Sequence, residues 1–147
     1  MIDIAPLDKD DFDVWLPLWR GYQTFYKVDI PEATTQVTFQ RLTRGQEPMG
    51  AFLAREDGVA VGMAHWIVHR SCWTVGDYCY LQDLFVAGAR RGSGVGRKLI
   101  EAVYGLARGR GCSRVHWLTH ETNAQAMLLY DRIATKSGFV QYVKKFE

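Results

Sequence analysis

Apolar and polar residues alternate over several short segments of the chain. Such alternation, and short apolar runs bounded by turn residues, predict β-strands. The pair Asp57-Gly58 lies between two apolar runs, a sequence that favours a tight hairpin turn. A longer strand follows this hairpin and contains Gly76, where we expect a bulge. The predicted strands are 2–7, 50–56, 59–69, 73–87, 114–119 and 139–146.

Four other segments repeat apolar residues every three or four positions, which predicts amphipathic helices. Pro31 and Gly45 bracket the second of these segments in the order expected for a helix start and stop. Thr122 precedes the last one, with Gln125 three residues later, which is a capping-box pattern. The predicted helices are 8–27, 31–45, 94–108 and 122–138. The order of strands and helices predicts a mixed α/β fold.

Composition limits the possible classes of protein. The 147 residues are 48% hydrophobic and 23% charged, which is typical of one globular domain, residues 1–147. The net charge of +2 is too small to indicate a nucleic-acid partner. No apolar run approaches the roughly 20 residues that span a bilayer, and the first residues lack the pattern of a signal peptide. We therefore expect a cytoplasmic protein with no membrane partner.

The cysteines and the strand histidines show no spacing typical of a metal or redox site. The cysteines are Cys72, Cys79 and Cys112, and the strand histidines are His65, His69 and His116. We interpret the cysteines as reduced thiols and the histidines as packing or surface residues. The sequence thus predicts no bound metal.

A basic, glycine-rich turn, 90–96, connects the fourth predicted strand to the third predicted helix. Its three glycines alternate with other residues, and a bare backbone at the start of a helix exposes N–H groups that bind phosphate oxygens. A Walker A loop is excluded because its second glycine would fall on Arg97, and the spacing also differs from G-x-G-x-x-G. The alternative is a tight turn with solvated arginines.

Two motifs in this chain resemble those of the GNAT N-acetyltransferases. The segment 91–96, "RGSGVG", resembles their Q/R-x-x-G-x-G/A segment. About thirty residues later, Asn123, Ala126 and Tyr130 fit N-x-x-A-x-x-L-Y, followed by Gly138-Phe139. The second motif looks most similar to the Hpa-type histone and polyamine acetyltransferases. The resemblance implies a mostly antiparallel sheet with two splayed parallel strands, flanked by about four helices.

The resemblance also implies acetyl-coenzyme A as the acetyl donor and a set of residues that contact it. The pyrophosphate would lie on the main chain of the turn, the pantetheine arm would pair with the fourth predicted strand, and Asn123 would contact the coenzyme. Tyr130 would also contact it and would give a proton to the leaving thiolate. The implied main-chain contacts are Arg91, Gly92, Ser93, Gly94, Val95 and Gly96 in the turn, and Leu84, Phe85 and Val86 in the strand.

The general base departs from the family pattern. Polyamine-acetylating relatives read Leu-Glu-Asp where this chain reads Leu81-Gln82-Asp83, and Gln82 cannot accept a proton. Asp83 is the neighbouring candidate, although in a regular strand it faces away from Gln82. The other candidates are Asp77, His120 and Glu121, with water or a neutral amine as further possibilities.

These observations predict an enzyme that transfers an acetyl group directly to a primary amine, either of a small molecule (polyamine or amino-acid-like) or of a lysine side chain. The family resemblance implies that exposed aromatic residues around Tyr22 to Tyr26 wall the acceptor pocket. One alternative is a coenzyme A-binding module with weak or no catalysis. Another is an α/β domain that binds a different nucleotide. The family resemblance also suggests a homodimer, with the segment 139–146 as an exchanged or pairing strand.

Overall fold

A computed structural model describes residues 1–146 as one sheet with helices on both faces. The strands are β1 (Ile2–Pro6), β2 (Met49–Glu56), β3 (Val59–His69), β4 (Tyr78–Val86) and β5 (Arg114–His116). The helices are α1 (Phe12–Tyr26), α2 (Glu32–Arg44), α3 (Val95–Gly109) and α4 (Ala124–Ile133), with a short 3₁₀ turn at Gly88–Arg90. None of these helices has the length and apolarity needed to cross a bilayer.

The sheet has the order β1-β2-β3-β4-β5, and its strands are antiparallel except for the parallel pair β4–β5. One core lies between the sheet and α3, with Leu99, Ile100 and Val103 fully buried. The other lies between the sheet and helices α1 and α2, around Trp15 and Leu53. The expected mixed α/β class is confirmed.

The hairpin between β2 and β3 forms at the predicted place. Asp57 and Gly58 have φ values of 51° and 85°. Positive φ at both central residues is the backbone of a primed turn, which matches the right-handed twist of the flanking strands.

Towards the C-terminus the structure differs from the sequence-based expectation. Strand β5 covers only Arg114–His116, and no strand forms at 139–146, because this segment lies beside no strand among residues 1–146 with which it could pair. Helix α4 ends at Ile133, and its N-cap position is Asn123, with no side-chain capping bond. The predicted capping box at Thr122 is therefore wrong. The Thr122 hydroxyl lies 2.7 Å from His120 Nδ1 instead.

Candidate active site

A bulge in β4 decides which side chains reach the site. In the β3–β4 register, His65 is opposite Asp83 and Trp66 is opposite Leu81, so Gln82 is the extra residue. The bulge lies at Gln82 rather than near Gly76, where we expected it. The extra residue returns Asp83 to the sheet face covered by α1, which removes the objection that a regular strand would turn it away.

Asp83 is fixed by a buried hydrogen-bond network that begins in α1. Trp15 Nε1 donates to His65 Nε2 over 3.0 Å. Because an indole N–H only donates, His65 carries its proton on Nδ1. That Nδ1–H donates to Asp83 Oδ2 over 2.9 Å. The neutral His65 therefore orients the Asp83 carboxylate, and both residues are buried.

Three tyrosines surround this carboxylate. Burial and the Asp83 charge raise the pKa of Tyr22 far above its ordinary value, and the same two causes raise the pKa of Tyr80. Burial and Asp83 also raise the pKa of Tyr26, against the opposing effect of Arg91. All three hydroxyls therefore stay protonated at neutral pH and can donate hydrogen bonds.

Strands β4 and β5 pair only from Tyr78–Tyr80 with Arg114–His116 and then part, which leaves a gap. The Ala87 N–H donates to Val61 O over 2.8 Å. Because bonded pairs alternate along an antiparallel ladder, the main-chain groups of Leu84 and Val86 point away from β3 and into this gap. By the same alternation those of Phe85 point to β3, so its main chain is not free for a ligand.

The glycine turn presents unpaired N–H groups at the start of α3. Gly92 and Gly94 have φ values of 84° and 91°, which favour glycine. The N–H groups of Arg91 and Ser93 are used within the turn, on Gly88 O at 3.4 Å and Arg90 O at 3.3 Å. The N–H groups that have no main-chain acceptor among residues 1–146 belong to Gly92, Gly94, Val95, Gly96 and Arg97. This arrangement suits an anion.

The two arginines of the turn have separate roles. Arg90 pairs with Glu56 over 2.7 Å. Arg91 instead lies over the Phe25 ring at 4.8 Å, and its Nε donates to Val86 O over 3.2 Å. Its guanidinium therefore lies between the edge of β4 that faces the gap and the aromatic end of α1.

Helix α4 brings the second motif to the gap. Tyr130 packs edge-on against Trp117 at 5.4 Å. Burial, with a smaller effect of Tyr26, raises the pKa of Tyr130 to about 12. Asn123 Nδ2 donates to Thr119 Oγ1 over 3.3 Å. Tyr130 thus lies near the aromatic end of α1, where its hydroxyl can donate a hydrogen bond.

The candidate bases differ in their surroundings. Asp77 pairs with Arg70 over 3.2 Å at the start of β4. His120 and Glu121 are exposed on the loop before α4, and His120 Nδ1 accepts the Thr122 N–H. Of the four candidates, Asp83 is the one beside the α1 tyrosines. The sequence did not identify His65 as its partner, since a histidine in an apolar strand carries no local signal of this role.

Comparisons with known proteins agree with this fold. The acetyltransferase (GNAT) family model matches residues 15–134. The D-amino-acid N-acetyltransferase HPA3 of Saccharomyces cerevisiae is 37% identical over 143 residues, 96% of this chain and 89% of that protein. The thialysine N-epsilon-acetyltransferase of Sus scrofa is 32% identical over 90 residues, 61% of this chain and 48% of that protein.

Two solved structures show the same fold. A ribosomal-protein-alanine N-acetyltransferase from Brucella melitensis biovar Abortus 2308 has a TM-score of 0.82 at 23% identity, over 99% of this chain and 100% of that one. The aminoglycoside acetyltransferase AAC(6')-Iy, solved with a bisubstrate analogue, has a TM-score of 0.86 at 20% identity, over 99% of each chain.

This chain therefore belongs to the acetyltransferase (GNAT) family. It is an N-acetyltransferase that takes its acetyl group from acetyl-CoA, which confirms the predicted class of enzyme and its co-substrate. The predicted fold, with splayed parallel strands in a mostly antiparallel sheet, is confirmed as well.

Proposed function

We propose that the acetyl acceptor is a small amine that also carries a carboxylate, such as a free amino acid. The observations that support it are that Arg91 lies over the ring of Phe25, which packs edge-on against Tyr26, and that burial and Asp83 raise the pKa of Tyr26 while Arg91 lowers it. Asp83 would hold the ammonium group, and Arg91 would hold the carboxylate. The names of two relatives fit this class, since one acts on D-amino acids and the other on thialysine.

The coenzyme would lie along the gap and across the glycine turn. Its pyrophosphate would accept hydrogen bonds from the five free N–H groups of the turn, where the α3 dipole also favours an anion. Its pantetheine arm would pair with the main chain of Leu84 and Val86, as an added strand does. Phe85, Arg91 and Ser93 would shape the walls of this groove, and Asn123 would close it from α4.

Transfer would occur by direct attack in a ternary complex. The amine nitrogen forms a bond to the thioester carbonyl carbon, the C–S bond breaks, and the electron pair leaves on sulfur. Tyr130 would donate a hydrogen bond to that sulfur. Gln82, exposed at the bulge, would hydrogen-bond the acceptor through its side-chain amide, since it cannot accept the ammonium proton.

The oligomer would be a homodimer. Residues 134–146 form no helix or strand, and their apolar side chains are exposed: Phe139 is 80% exposed, Val140 78% and Tyr142 94%. So many apolar groups in water favour a partner surface. A second copy with the same open β5 edge would provide one by strand exchange.

An amine panel tests the acceptor class. We expect CoA release from acetyl-CoA to be fastest with D- or L-amino acids, and slower with polyamines, aminoglycosides and a lysine peptide. In Asp83→Asn the KM for the amine should rise by about 30-fold, because one partner of a buried charged pair is lost. The KM for acetyl-CoA should change less than about twofold, since Asp83 lies outside the coenzyme groove.

Asp57→Asn is the matched control, since it makes the same change in the exposed turn between β2 and β3. Equal or faster turnover of amines that lack a carboxylate would contradict the proposed acceptor class. An unchanged amine KM in Asp83→Asn would contradict the role of Asp83.

A further inference from the structure

A pair of histidines occupies the sheet where β4 and β5 part. His69 ends β3, His116 ends β5, and their Nε2 atoms are 3.0 Å apart. No third His, Cys, Asp or Glu within residues 1–146 joins them in a metal-binding group. The contact is therefore a hydrogen bond between two imidazoles, in which one ring donates and the other accepts.

The neighbouring contacts determine which ring donates. His69 Nδ1 is 2.8 Å from the Arg70 carbonyl oxygen, which only accepts, so Nδ1 of His69 carries the proton. In the neutral ring, Nε2 of His69 must then accept, and His116 must donate from its Nε2–H. It follows that Nδ1 of His116 has a free lone pair. His116 can accept a proton there and release another from Nε2 to His69.

His116 lies on the acceptor side of the gap. It is opposite Tyr80 in the last paired position of β4 and β5, and the two rings stack at 5.0 Å with an angle of 13°. Because of the bulge, Tyr80 and Asp83 lie on the same face of the sheet. Burial and the Asp83 charge raise the pKa of Tyr80. An ammonium group held by Asp83 would thus lie on the face to which His116 belongs.

The groups around the His69–His116 pair favour the neutral form of the His116 ring. Burial, His69 and Arg114 lower the pKa of His116, so its ring is neutral and able to accept a proton at neutral pH. Tyr78 and Tyr80 of β4 pack against His116. Arg114, which is in β5 like His116, lies over the Tyr78 ring at 4.2 Å. Burial and Asp83 raise the pKa of Tyr80, so its hydroxyl is neutral, and Arg114 is the fixed charge that contributes to lowering the pKa of His116.

The charges of Arg70 and Asp77, which form an ion pair nearby, offset each other. His69 is exposed and can release a proton to water.

We propose that His116 is the general base of the transfer and that His69 relays its proton to solvent. This rests on the proposed acetylation of an ammonium acceptor at Asp83. The ammonium N–H gives its proton to His116 Nδ1, directly or through one water, and the nitrogen keeps the electron pair with which it attacks. The Nε2–H proton of His116 moves to His69 Nε2, and the His69 ring, which then carries a proton on each nitrogen, gives its Nδ1–H proton to water. Proton exchange with water restores the starting tautomers of both rings before the next turnover.

The pH dependence of His116→Gln tests the base. With saturating acetyl-CoA, we expect kcat/KM of the wild type for the amine to be nearly constant between about pH 7 and 9. In His116→Gln it should rise about tenfold per pH unit, because only the free amine of pKa about 10 then reacts. The loss should be about 1,000-fold near pH 7 and only a few-fold near pH 10.

His69→Gln tests the relay. It removes the acceptor of the His116 Nε2–H proton, so kcat for the amine should fall below that of the wild type. The acid limb of the profile should also move to higher pH, because His69 is one of the groups that lower the pKa of His116. His120→Gln is the matched comparison, the same change in an exposed loop histidine, and the wild-type profile must persist in it. A flat profile in His116→Gln, or a sloping one in His120→Gln, would overturn the proposal.

A measurement without turnover separates this proposal from the one on which it rests. Nitrogen NMR shifts of the free enzyme should show His116 as the Nε2–H tautomer and His69 as the Nδ1–H tautomer. The opposite tautomer of His116 would overturn the relay even in an enzyme that turns over rapidly. If these tautomers are found but no amine releases CoA, the proposed acceptor chemistry fails and the relay fails with it.

Discussion

Tyr130 shows how burial changes what a single side chain can contribute. Its pKa of about 12 makes it a weaker acid than a free tyrosine, whereas a thiol resembling cysteine has a pKa near 8.5. Complete proton transfer from Tyr130 to the thiolate is therefore uphill. A hydrogen bond to the developing negative charge on sulfur avoids this cost and still stabilises the transition state.

Tyr130→Phe should lower kcat by about 100-fold and change the KM for acetyl-CoA by less than about threefold, because the lost bond forms in the transition state. Steady-state kinetics measure both. The wild type should show no basic limb from Tyr130 below about pH 10, since its pKa lies well above this range.

Tyr104→Phe is the control for a general disturbance of α4. It removes a hydroxyl that donates to the Ile133 carbonyl at the end of this helix, over 2.9 Å. We expect it to cost about 1 kcal/mol of stability and to leave kcat unchanged. A comparable loss of kcat in both variants would show that Tyr130 acts only through the position of α4.

Two glycines of helix α3 differ in backbone conformation, one at its N-cap and one in its middle. Gly94 is the N-cap with φ of 91°, where a side chain is strained although nothing lies within 4 Å of its Cβ position. Gly105 lies in the same helix with equally open space and without a positive φ. Substitutions at these two glycines therefore distinguish the effect of backbone conformation from the effect of steric crowding.

Gly94→Ala should weaken CoA binding by about tenfold or more, since about 1 kcal/mol of strain and a shifted N–H group both oppose it. Gly105→Ala should stabilise the protein by about 0.5–1 kcal/mol and leave CoA binding unchanged. Calorimetric titration with CoA and thermal unfolding measure these effects. Equal CoA affinity in Gly94→Ala and the wild type would show that the turn does not hold the pyrophosphate.

The C-terminal segment, residues 139–146, has the apolar composition of a β-strand but pairs with no strand among residues 1–146. We expect sedimentation to give about twice the chain mass of 16.8 kDa. Val140→Asp with Tyr142→Asp should shift the protein towards monomer, because two charges would be buried in the shared surface. Lys144→Gln, in the same segment, should remain dimeric. A monomeric wild type would contradict strand exchange.

Features that depend only on neighbouring residues can be predicted from this amino-acid sequence. Apolar periodicity located all four helices and the first four strands, and the Asp57-Gly58 turn followed from backbone preferences at two positions. The glycine turn was found because helix-start N–H groups and missing Cβ atoms are local properties. Family membership followed from two short motifs of this kind.

Contacts between side chains that are distant in the sequence depend on the three-dimensional fold. The bulge at Gln82 depends on the β3–β4 register, which packing on both sheet faces sets and no pattern within β4 encodes. That register joins His65 to Asp83, 18 residues apart, and the course of β5 joins His69 to His116, 47 residues apart. The segment 139–146 stays unpaired for the same reason, because strand pairing depends on the position of the segment in the fold and not on its composition.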